Sequence, residues 1–187
     1  MASGQWRLPG RFRQLMAEIF DPAPILAALV ARGVQFVVIG GFAARLHGSP
    51  LPTEDVDVTP EMSAENLARL SDALRDLRAR VRDPDIPEGL LFSHDAASLA
   101  GSVFWNLTTP HGELDLCFTP AGTTGYSALA PDAVRLNLGG VEVTVASLAD
   151  IVCSKSAANR PKDQRALPVL RELLAAQTRA RAARGTP

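Results

Sequence analysis

The chain is poor in lysine, cysteine, histidine and aromatic residues, and each shortage narrows what it can be. Of 187 residues, only Cys117 and Cys153 are cysteines, too few for a disulfide framework. The three histidines, His47, His94 and His111, lack the spacing of metal ligands, which argues against a zinc centre. No apolar run approaches the roughly 20 residues that span a bilayer. The N-terminal stretch MASGQWRLPGRFRQLM lacks the apolar middle region of a secretory signal. These absences fit a cytoplasmic protein with no membrane partner. A formal charge of −1 argues against wholesale electrostatic capture of nucleic acid, although it leaves room for a local basic patch. Lysine occurs only at Lys155 and Lys162 in a chain that otherwise uses arginine, which hints that a compact point charge is wanted there.

What is present suffices for a folded domain. Apolar residues make up 47% of the chain and charged residues 21%, enough for a core under an ordinary soluble surface. Arginine clusters at Arg7, Arg11 and Arg13, from Arg75 to Arg82, and from Arg171 to Arg184. Each cluster reads first as a solvated helix face. Residues 1–10 read as a flexible arm, residues 11–146 as an α+β core, and residues 147–187 as a C-terminal helical segment with a tail that frays after Gln177. Trp6 and Trp105 read as packing residues.

Periodicity predicts helices over 11–20, 24–32, 42–47, 63–80, 147–158 and 161–181, the last kinked near Pro168. Ser63 and Ser147 are expected N-caps, and Gly33 an expected C-cap. Short β-branched runs predict strands over 35–39 and 54–58. Hairpins are expected around Pro110 and around Gly139-Gly140. The Pro- and acid-rich stretch 83–89 is expected to be a loop. Antiparallel strands with helices to one side give an α+β fold with a mixed or antiparallel sheet flanked by helices and a helical C-terminal part.

The most informative segment is VVIGGFAARLHGSPLPTEDVDV, residues 37–58. Asp55 and Asp57 alternate with Val56 and Val58, so in a strand the two acids share one face and the valines the other. Two adjacent acids repel unless something positive lies between them. Mg²⁺, or Mn²⁺ in its place, suits carboxylate oxygens combined with substrate phosphates. Asp115, between Leu114 and Leu116, supplies a third acid, and Glu113 and Cys117 share its face. Glu142 is a rival third acid, but its place beside a Gly-Gly turn suits a solvated hairpin position. Read alone, Asp-x-Asp is a polar strand face in water. It gains weight from the preceding strand and Gly40-Gly41, expected here as a turn, whose lack of side chains permits close approach to phosphate. Ser49 and Thr53 are assigned to turns and the start of a strand, and His47 to packing or to support of the site.

The arrangement of an apolar strand ending in Gly40-Gly41, then Asp55-Val56-Asp57, then Asp115 between leucines, resembles the DNA polymerase β-like nucleotidyltransferase superfamily. The stretch from Ser147 to Lys155, followed by Asn159-Arg-Pro-Lys-Asp163, is similar to small bacterial members of the AbiEii/MenT toxin-like kind. Leu51 stands where many of those relatives carry arginine. The resemblance implies a nucleotidyltransferase-like core. Gly40 and Gly41 would hold the triphosphate of an NTP, and Asp55, Asp57 and Asp115 would bind Mg²⁺. Asp115 would also orient or deprotonate the acceptor hydroxyl. Lys155 would pair with phosphate, and Asp163 would orient that lysine or serve the acceptor.

The expected activity is transfer of a nucleoside monophosphate to a hydroxyl, with release of pyrophosphate. The acceptor implied is an RNA or tRNA 3′ end, with an antitoxin as a partner, or else a protein or a small antibiotic. The arginines from Arg75 to Arg82 mildly favour a polyanion. A non-catalytic nucleotide-binding module and a metal-dependent phosphohydrolase are the rival readings.

Overall fold

The computed structural model describes residues 21–184. The expected arm, the first helix, Trp6 and the first arginine cluster lie outside the described residues. Helix α1 (Ala23–Ala31) starts behind Pro22 and buries Ile25, Leu26 and Leu29. Its end is turned at Gly33, which takes φ +66° and donates to the Val30 carbonyl, while Val34 donates back to Leu29. This is the left-handed termination that glycine makes cheap. Strand β1 (Phe36–Ile39) follows, and helix α2 (Gly40–Leu46) begins without a break, Ile39 serving as its N-cap. The expected turn at Gly40-Gly41 is thus the first turn of a helix.

Strand β2 (Asp55–Pro60) leads into α3 (Ala64–Asp76), capped as expected by Ser63, whose hydroxyl accepts from the Asn66 backbone N–H. This helix ends before residue 80, and Arg78 takes φ +49° just past it. The stretch expected to be a loop is a third hairpin, β3 (Arg80–Asp83) and β4 (Ile86–Leu90). Prolines and acids suit it because β4 is an edge strand, where no further neighbour needs its backbone donors. Helix α4 (Ala96–Ala100) was not anticipated, although Asp95 and Ser98 form a reciprocal capping box before it.

The hairpin of β5 (Phe104–Thr109) and β6 (Gly112–Cys117) forms where expected. A short helix α5 (Tyr126–Leu129) and a 3₁₀ turn (Ala130–Asp132) precede the hairpin of β7 (Val134–Leu138) and β8 (Val141–Val145), whose bounds match the expectation. Helix α6 (Leu148–Ala158) is capped by Ser147, and α7 (Pro161–Arg184) continues through Pro168 and past Gln177.

The strands form one mixed sheet in the order β4-β3-β5-β6-β2-β1-β8-β7. β1–β8 and β2–β6 are parallel, and the other neighbours antiparallel. Val37, Val38, Val56, Val58, Leu107, Leu114 and Leu116 join α1 and α3 in a single core. Leu148, Ile151 and Leu170 belong to that same core, so α6 and α7 are built onto the sheet. Asn66 ties α3 to the neighbouring chain: its amide accepts from Gln35 N and donates to the carbonyls of Gln35 and Glu61, at 2.7–2.9 Å. No helix among the described residues is long and apolar enough to cross a membrane.

Candidate active site

Alternation along β2 buries Val56 and Val58 completely and leaves Asp55 and Asp57 on the opposite face. Strand β6 lies beside it in parallel register, so Asp57 sits opposite Asp115 and Asp55 opposite Glu113. One carboxylate oxygen from each of Asp55, Asp57 and Asp115 lies within 4.8 Å of the others, as expected for a shared site. Burial, with the charges of Asp55 and Asp115, pushes the Asp57 carboxyl up to about 7; Lys162 and Lys155 pull the other way. Burial also raises Asp115, against the opposing pull of Arg82. Three hard oxygen donors that repel one another fit a divalent cation of the Mg²⁺ or Mn²⁺ type, which would reverse this repulsion.

The residues around the acids are shaped to them. Gly40 takes φ +69°, and a Cβ there would overlap the Asp57 carboxylate, standing 2.6 Å from its Cγ. A Cβ on Gly41 would stand 2.6 Å from Thr53 Oγ1. The Thr53 hydroxyl in turn donates to Asp55 Oδ1 at 2.9 Å. The glycines therefore let the start of α2 close onto the acids, and Thr53 orients one of them, a role beyond the start of a strand assigned to it above. His47 serves the frame: its Nε2 meets the Ala146 carbonyl at 2.8 Å.

Lys155 on α6 and Asp163 on α7 form an ion pair at 3.1 Å, and Arg160 Nε donates to the other Asp163 oxygen at 2.6 Å. Asp163 has no exposed surface, and the two cations bonded to it, Lys155 and Arg160, are what it presents to the cleft. Burial would raise its pKa, but hydrogen bonds from Arg160 and Lys155 outweigh that and hold the carboxyl below its ordinary value. A depressed carboxyl contributes stability above its unfolded pKa and loses it as the pH falls through the folded value. Asp163→Asn is therefore expected to cost about 3 kcal/mol near neutral pH, because Lys155 is left largely buried without its counter-charge. Its penalty should shrink under acid conditions; denaturant melts at neutral pH and near pH 3 check both.

Arg82 was the residue the sequence hid. In the sequence it stands in an arginine run, yet its Nη2 lies 2.6 Å from Asp115 Oδ1 and 3.1 Å from Glu113 Oε2. Only the β3–β5–β6 neighbourhood brings them together, and no local spacing announces that. Arg75 pairs with Asp72 at 2.5 Å. Two arginines of the expected polyanion patch are thus committed to carboxylates. Glu142 is a solvated hairpin residue, 3.6 Å from Arg135 and away from the acids.

These elements enclose a cleft of about 850 Å³. Gly40, Gly41, Asp55, Asp57, Asp115 and Lys155 all line it, joined by Arg160 from the α6–α7 link, Lys162 and Arg165 from α7, and Phe104 and Asn106 from β5. Phe104 is 56% exposed, and sequence reading passed over it. Cys117 lies there too, its thiol pushed up to about 11 by burial and then by Asp57, which makes it a poor nucleophile.

No family model and no curated protein matches the sequence. Solved structures do. ANT(2″)-Ia in complex with adenylyl-2″-tobramycin aligns with a TM-score of 0.52 at 20% identity, covering 83% of this chain and 88% of that one. The lincosamide antibiotic adenylyltransferase LnuA, lincomycin-bound, aligns with a TM-score of 0.52 at 14% identity, covering 80% of this chain and 93% of that one. The mixed sheet, its flanking helices and the C-terminal helix together give this chain the fold of the nucleotidyltransferases.

Proposed function

We propose that the chain transfers a nucleoside monophosphate from an NTP to a hydroxyl acceptor. The observation that carries this reading is the meeting of Asp55, Asp57 and Asp115, from two parallel strands, in a cleft that also holds Lys155. Asp55, Asp57 and Asp115 would hold Mg²⁺, which when bound supplies charge neutralisation of the phosphates. Gly40 and Gly41 keep the wall beside the acids free of side chains, so the triphosphate can approach the backbone. Lys155, held by Asp163, binds phosphate as a fixed point charge, and Asp163 acts through that lysine. Asp115 orients the acceptor hydroxyl and takes its proton as the new O–P bond forms; the bond to pyrophosphate breaks. Positioning supplies much of the rate in such a transfer.

For the acceptor we infer a small hydroxylated molecule. The cleft has the size of a small-molecule site, Arg75 and Arg82 are paired with acids, and the similar structures named above hold tobramycin and lincomycin derivatives or ligands. An RNA 3′ end, as in toxin-like relatives, is the second acceptor to test. The protein is incubated with Mg²⁺, each labelled NTP, and separately an aminoglycoside and lincosamide panel, total RNA and cell protein. Label on a small molecule that disappears in Asp57→Ala supports the reading. Label on RNA alone moves the acceptor to nucleic acid. Hydrolysis without transfer in every arm overturns it in favour of a phosphohydrolase.

A further inference from the structure

The three acids do not share one environment. Asp115 alone has a cation in direct contact, Arg82, while Asp55 is held by a neutral hydroxyl. The Arg82 contact is made by a single nitrogen, Nη2, which also faces Glu113 at 3.1 Å and the Leu107 carbonyl at 3.4 Å. Nε of the same guanidinium is buried without a partner. Arg82 is therefore anchored by one end to a pair of carboxylates that are two residues apart on β6. It stays 31% exposed, and Glu113 is the more exposed of its two partners at 44%.

From this we infer that Arg82 is a positioning residue that stands in for metal charge at Asp115 and passes to Glu113 when a divalent cation binds. The inference rests on the nucleotidyltransferase reading and deepens it. Without a cation, Asp115 would face Asp55 and Asp57 uncompensated; the guanidinium lowers that repulsion and keeps the acid aimed into the cleft. With a cation bound, Asp115 gains a stronger partner, and two positive charges on one carboxylate oppose each other. Glu113 offers the arginine a second acceptor within reach of the nitrogen it already uses, so the exchange requires a rotamer adjustment and no movement of the backbone. Arg82 and the metal thus compete for one carboxylate, and Glu113 sets the terms of that competition.

The test reads Mn²⁺ and Mg²⁺ affinity by calorimetry, with no turnover involved. Arg82→Ala is expected to bind Mn²⁺ about tenfold tighter, and Glu113→Gln about tenfold weaker, because Asp115 is then the one carboxylate left to the arginine. Simple Coulomb effects predict the same signs, so the double variant decides. Exchange predicts that Glu113→Gln has little effect once Arg82 is absent; additive effects overturn the inference. Arg82→Gln replaces the alanine variant if that one loses its circular dichroism. Arg135→Ala, at the far edge hairpin, should leave affinity unchanged. Failure of the wild-type protein to bind either cation would overturn both this inference and the proposed metal site. Tight wild-type binding with additive variants overturns this inference alone.

Discussion

Asp57→Asn is expected to cripple nucleotide transfer and, in the same molecule, to make the metal-free protein harder to unfold. The two effects share one cause. Asp57 is pressed against Asp55 and Asp115 and shielded from water, and its carboxyl is pushed up to about 7. Such a group is ionised at the expense of the fold. The amide removes the charge, keeps the shape and can donate to its acidic neighbours. We expect a gain of about 1–2 kcal/mol, the usual yield of relieving a strained functional site. Transfer should fall by about a hundred- to a thousandfold, in line with removal of a preorganised electrostatic group. Denaturant melts with chelator present, alongside labelled-NTP transfer, measure both. A variant less stable than wild type under chelator would show that Asp57 is a structural acid with partners of its own.

Gly40→Ala should have the second largest effect, and it separates two roles of glycine. Gly40 and Gly139 take similar left-handed angles, φ +69° and +60°. Nothing lies within 4 Å of a Cβ placed on Gly139, whereas one on Gly40 would overlap the Asp57 carboxylate. Gly139→Ala therefore carries the backbone cost alone, about 1–2 kcal/mol. Gly40→Ala adds displacement of Asp57 or of the first turn of α2, and we expect a loss of about 3 kcal/mol or more together with loss of transfer. Melts of both variants, compared with their activities, give the difference. Equal stabilities with intact transfer would mean that Asp57 moves aside freely and that its position is not critical.

How legible the site was depended on how local its signals were. Asp55 and Asp57 were readable because alternation with buried valines is a two-residue pattern. Asp115 followed from the same pattern on β6, and its meeting with Asp57 was expected before the register showed it. Ser63, Ser147 and the 134–145 hairpin were readable for the same reason: caps and tight turns are short-range chemistry. Gly40-Gly41 is legible as a change of direction, which the φ of +69° at Gly40 bears out, but its place in the first turn of a helix and its packing against Asp57 and Thr53 are not local signals. The β3–β4 hairpin was missed because its prolines and acids disfavour strands in general and are tolerated at an edge. Arg82 was missed because its partners lie more than thirty positions away, across two strand pairings.

The parallel pairing of β2 with β6 has a consequence for how the protein reaches its native state. Neighbours in the sheet, these strands are separated in the chain by α3, the edge hairpin, α4 and β5. Such long-range pairing is slow to form, because the intervening loop must be closed before any contact rewards it. Asp57 and Asp115 come together only after that step, so an ensemble with native hairpins and helices but an unclosed crossover lacks the proposed cation site. A divalent ion added during refolding should leave the early phases untouched and slow only the unfolding of the finished molecule. Its binding is then a kinetic marker for completion of the chain's topology.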